Sequence, residues 1–200
     1  MRNRPESLTI EQAAAIIEQL KAHTRTRPSC LKSIRNTTIG LLMLDAGLRC
    51  GEVVKCDVGD LCFNGAPVSH IQIRAGIAEK AAIRSVPISQ RLAYQMELMI
   101  SSWWFPHSAN YSSPAFLTCP VGQRLTARQV QRIITTASLK AIGTRTNPHM
   151  LRHTFASNLM RKTNIRVVQT LLGHKCLSST QIYTHPDAED LHKAINGLPS

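Results

Sequence analysis

Two stretches near the end of the chain carry polar residues at suggestive places: NPHMLRHTF at 147–155 and LLGHKCLSSTQIYTH at 171–185. Tyr183 is a poor nucleophile unless its partners assist it. Attack by a tyrosine on a phosphodiester needs cations to neutralise the non-bridging oxygens. It also needs groups that move protons. His149 and Arg152 stand three apart near an expected helix start, so they share a face. Backbone N–H groups at such a start favour an anion. His174 follows Gly173, which should end a helix. A third stretch, LDAGLRCGEV at 44–53, puts Arg49 just past a helix end with Glu52 three residues later. Arginine grips a phosphate through two parallel hydrogen bonds, and Glu52 can brace it. Each residue alone also has an ordinary reading: a helix terminus, a satisfied histidine, a half-buried tyrosine. A zinc hydrolase is disfavoured. His149 and His153 have the spacing of H-E-x-x-H, but Met150 replaces the general base.

These residues need a scaffold. Thr9–Gln12 and Thr126–Gln129 are capping boxes that open helices over LTIEQAAAIIEQLKA and TARQVQRIITTASLKA. Helices are expected over LKSIRNTTIGLLMLDAG, stopping near Gly47, and over the short GEVVKC. SQRLAYQMELMISSWW, NPHMLRHTFASNLMRK, NIRVVQTLLGH and DAEDLHKAIN follow. Asn147 is the N-cap of its helix and Pro148 the first helical residue. Between Asp60 and Ser89 the composition changes to short β-branched runs divided by turn signals, Asn64-Gly65 foremost. The reading is α+β: a mostly helical domain with a small three-stranded antiparallel sheet.

Composition narrows the partners. The net charge is +12 over 200 residues. No acidic residue lies between Glu97 and Asp187, while that interval holds ten lysines and arginines. A single-sign field this long points to a polyanion, with nucleic acid the default. No apolar run is long enough for a membrane span. The start has no secretory h-region, so a cytoplasmic protein is expected. The six cysteines form no CxxC pair, and no metal site is expected.

The order Arg49, hairpin lysine, His149-x-x-Arg152, Gly173-His174, Tyr183 resembles the tyrosine recombinases, or phage-type integrases. The resemblance runs from about Leu8 to Asn196 and corresponds to their catalytic domain. It implies the following roles. Arg49 and Arg152 clamp the scissile phosphate, with Glu52 supporting Arg49. His149 moves the tyrosine-side proton, and His174 donates to a phosphate oxygen. Tyr183 forms a 3′-phosphotyrosyl bond. The hairpin reads RAGIAEKAAIRSVPIS in place of the family's glycine-lysine core. Lys80 is the candidate general acid there and Arg74 its weaker rival. DNA contacts are expected from Arg74, Arg84, Arg124, Arg128, Arg132, Arg145 and Lys175. No cofactor is implied. The partners are double-stranded DNA and further copies of the chain, as a tetramer on DNA. Residues 1–200 are expected to be one catalytic domain without an N-terminal core-binding domain. The 187–200 helix is expected to be exchanged between protomers. The rival functions are a type IB topoisomerase and a non-cleaving DNA-binding regulator.

Overall fold

The computed structural model describes residues 7–22, 26–78 and 83–173. Helix α1, Ile10–Lys21, begins at the Thr9–Gln12 capping box and buries Ala13, Ile16, Ile17 and Leu20. That face lies on α2, Arg27–Leu44, and on α6, Ala127–Ile142. Pro28 sits in the first turn of α2, so the helix begins four residues before the expected Leu31. It ends before Gly47, whose φ of +62° turns the chain toward α3, Cys50–Lys55.

A four-residue helix, α4 (Val58–Leu61), was not expected. Among the described residues the strands form two separate two-stranded antiparallel ladders, where one three-stranded sheet was expected. In the first, β1 (Cys62–Phe63) pairs with β2 (Ala66–Pro67) through Asn64-Gly65. Both turn residues have positive φ, at 49° and 76°, as a tight hairpin turn requires. In the second, β3 (His70–Ile73) pairs with β4 (Arg84–Pro87), Ile73 opposite Arg84. β4 alternates buried and exposed residues, so Arg84 and Val86 point inward.

Helix α5, Gln90–Met99, continues through a π-helical turn, Ile100–Trp104, that buries both tryptophans. Trp104 Nε1 donates to the Ala115 carbonyl at 2.9 Å. Buried Arg35 donates to the Leu117 and Thr118 carbonyls at 2.7 and 2.9 Å, holding the long loop onto α2. Helix α7, Pro148–Met160, starts at Asn147, whose side chain accepts from the Met150 N–H. Helix α8, Ile165–Leu172, is capped by Gly173 at φ +64°.

One large core joins α1, α2, α5, α6 and both ladders. α8 belongs to a second, smaller cluster of Ala156, Val168 and Leu172. No described helix is long and apolar enough to cross a membrane.

Candidate functional site

Glu52 stands on α3 with no exposed surface. An unpaired carboxylate there would be very costly. Its charge is instead met from several sides. The Arg49 backbone N–H donates to Oε2 at 2.7 Å and Arg49 Nη1 to Oε1 at 3.3 Å. Arg84 donates to both oxygens, Nη1 at 2.9 Å and Nη2 at 2.8 Å. Arg152 Nη1 lies 3.9 Å from Oε2. Burial alone would raise the Glu52 carboxyl; the Arg84 bonds and charge, the Arg49 N–H and the Arg152 charge outweigh it and hold it below the usual carboxylate value. Three guanidiniums face one carboxylate, so the cluster stays cationic.

The same arginines hold the end of α8. The last carbonyls of a helix have no partner within it. Arg84 Nε donates to the Leu171 carbonyl and Arg152 Nη2 to the Leu172 carbonyl, both at 2.8 Å. Arg152 also donates to the Gly47 carbonyl at the turn after α2. Thus the α2–α3 turn, β4, α7 and α8 meet around Glu52.

Above this cluster lies an open cleft of about 570 Å³. Arg49, Cys50 and Gly51 form one wall, and Ala127, Arg128 and Gln131 of α6 the other. Asn147, Pro148 and His149 bring the N-terminus of α7 to it. Arg49 is partly exposed there and His149 is exposed. His153, one turn further along α7, is half-buried. Burial first, then the charges of His149 and Arg152, hold its pKa below the usual histidine value. The cleft is thus cationic and opens onto a helix N-terminus, which suits a phosphate.

Arg49 and Arg152 thus meet on Glu52, and Arg49 and His149 line the same cleft. Lys80, His174, Lys175, Tyr183 and the 187–200 helix lie outside the described residues. One expected DNA contact needs correction, and two others are engaged in ion pairs. Arg84 is 6% exposed and bound on all sides, so it is an internal strut. Arg74 donates to Asp57 at 2.8 Å and Asp60 at 3.0 Å. Arg124 donates to Asp57 at 2.6 Å and to the Val54 and Cys56 carbonyls. These two side chains pin the α3–α4 segment. Arg128, Arg132 and Arg145 are exposed and edge an open groove along α6. The bridging role of Arg84 was missed, although alternation with Val86 in RSVP carried its signal.

Among the described residues no cluster of His, Cys, Asp and Glu converges as a metal site. Burial pushes the Cys56 thiol up.

A mostly helical α+β scaffold with this arginine-lined cleft is the tyrosine-recombinase catalytic fold. The crystal structure of XerA recombinase matches 99% of the chain with a TM-score of 0.75 at 24% identity, and 65% of that chain is covered. XerH site-specific recombinase, solved bound to its difH substrate in a pre-cleavage complex, matches 98% with a TM-score of 0.68 at 25% identity; 55% of it is covered. The chain belongs to the phage integrase family, whose sequence profile matches residues 6–190. It is 32% identical over 195 residues to tyrosine recombinase XerC of Chromobacterium violaceum, covering 96% of this chain and 60% of that protein. It is 36% identical over 163 residues to tyrosine recombinase XerC of Vibrio vulnificus, covering 80% of this chain and 48% of that one.

Proposed function

We propose that the chain acts as the catalytic domain of a site-specific DNA recombinase, 1–200 forming one such domain. The observation that carries this is the Glu52-centred arginine cluster beneath a cleft shared by Arg49 and His149. Its setting is a family member similar to tyrosine recombinases.

In this reading the scissile phosphate lies in the cleft. Arg49 and Arg152 offset the charge on its non-bridging oxygens, and His174 adds a hydrogen bond. The Tyr183 oxygen attacks phosphorus while His149 accepts its proton. The P–O5′ bond breaks, and Lys80 protonates the leaving oxygen. The product is a 3′-phosphotyrosyl bond and a free 5′-hydroxyl. Attack by a 5′-hydroxyl of a partner strand reverses the steps and frees Tyr183. One phosphodiester replaces another, so no nucleotide cofactor is consumed. The substrate is double-stranded DNA. The working form is a tetramer assembled on it, with the 187–200 helix exchanged between protomers. The setting is the cytoplasm.

A nicked duplex that loses its short 5′ fragment after cleavage traps the intermediate. The unaltered chain is expected to form an SDS-resistant protein–DNA adduct. Tyr183→Phe removes only the hydroxyl and is expected to form none. An adduct with the phenylalanine variant would show that another residue attacks.

A further inference from the structure

We infer that Arg84 is a positioning residue for strand cleavage, holding in register three parts of the site that the backbone leaves separate. The role rests on the phosphodiester reading above. Arg84 is buried, does not line the cleft and stands at none of the positions assigned to phosphate contact, so its role runs through its partners. All three guanidinium nitrogens are engaged at 2.8–2.9 Å.

Its first partner is Glu52. The two parallel bonds fix the carboxylate plane, and that plane in turn receives the Arg49 N–H, Arg49 Nη1 and the Arg152 charge. Its second partner is the Leu171 carbonyl in the last turn of α8. Gly173 caps that helix, and His174 is the next residue. α8 packs through Val168 and Leu172 on α7 and through Leu171 on the large core, and the arginine ties fix the end that precedes His174. The third part is β4 itself. Arg84 opens that strand four residues after Lys80. One side chain thus links the phosphate-gripping arginines, the approach to His174 and the strand that follows Lys80 in sequence.

Only a guanidinium satisfies this geometry. It is planar, and its fork meets a carboxylate with two bonds while Nε points elsewhere. A lysine keeps the charge beside Glu52 but cannot reach both oxygens and the carbonyl together. Arg84→Lys therefore separates charge from geometry. A displacement on the order of 1 Å at a reacting centre costs about 10²-fold in rate.

The test is single-turnover adduct formation on the nicked duplex, with DNA affinity measured separately. Arg84→Lys is expected to keep its fold and its DNA affinity while cleaving about 10–100-fold more slowly. A second duplex carries a methylphosphonate at the scissile position, where a methyl replaces one non-bridging oxygen. That linkage is neutral and asks less of the arginines. The deficit should shrink on it, because Arg84 acts through Arg49 and Arg152. A side chain needed only for folding would slow both duplexes alike, and that result overturns the role. So does an unchanged rate on the ordinary duplex. If Arg84→Lys does not fold, Arg84→Gln keeps a donor beside Glu52, whose charge Arg49 and Arg152 still meet. The same shrinking deficit is expected of that variant, and an unchanged rate overturns the role. If the unaltered chain forms no adduct, the phosphodiester reading itself fails. An adduct with no loss in Arg84→Lys removes only the positioning role.

Discussion

Three guanidiniums and one backbone N–H converge on Glu52, a carboxylate with no exposed surface. The pairs are mutually dependent, because removing one partner of a buried pair leaves the other charge uncompensated. Such a loss typically costs about 3–5 kcal/mol. Glu52→Gln keeps the shape and removes the charge, so it isolates that dependence. The pH response follows from the depressed pKa. A carboxyl lowered in the folded state gives stability that is fully present above its unfolded pKa of about 4.3. That stability is lost as the pH falls through the folded value. Urea unfolding midpoints should therefore differ widely between the two proteins near neutral pH and converge under acid conditions. A gap that stays constant into strong acid would mean that Glu52 is not ionised in the fold.

Element boundaries carry the site as much as its side chains do. Gly47 turns α2 into α3, and its carbonyl receives Arg152. A Cβ there would clash with the Phe155 ring of α7, in a backbone region that L residues avoid. Gly47→Ala is expected to lose about 2 kcal/mol or more of stability. It should also slow cleavage beyond what that loss explains, because both Arg49 and Arg152 hang on this turn. Chemical denaturation beside single-turnover cleavage checks both; a fully stable variant with normal cleavage would clear the turn of any special role. This turn was legible in the sequence, as were the Thr9, Thr126 and Asn147 caps, because capping uses local residue types at fixed offsets. The ladders were less legible. Two-residue strands hold too few residues to show a period, and nothing local says whether neighbouring hairpins share a sheet. Arg84 read as a surface cation because an arginine's burial depends on partners far along the chain, here Glu52, and the ion pairs of Arg74 and Arg124 with Asp57 and Asp60 were hidden for the same reason.

The net charge of +12 acts through those cations that remain exposed. Asp45, Asp57 and Asp60 are tied to Arg91, Arg74 and Arg124, and Glu52 is enclosed, so these acids do little to offset the field outside. Arg128, Arg132, Lys140 and Arg145 border the groove on α6, and Arg161, Lys162 and Arg166 are exposed beyond it. Phosphates that meet such groups release condensed counterions, which makes binding depend steeply on salt. With about six phosphates neutralised, log K for duplex DNA should fall with a slope near −5 against log salt. The structure sharpens this by separating exposed cations from engaged ones. Arg128→Ala together with Arg132→Ala should reduce the slope by about two, roughly one per lost phosphate contact. Arg74→Ala should leave it unchanged, since that guanidinium is already held by Asp57 and Asp60. Fluorescence titrations over a salt series give all three slopes. Equal losses from Arg74 and from the α6 pair would mean that the Arg74 ion pairs open on DNA, and a slope near zero in the unaltered chain would remove the polyanion altogether.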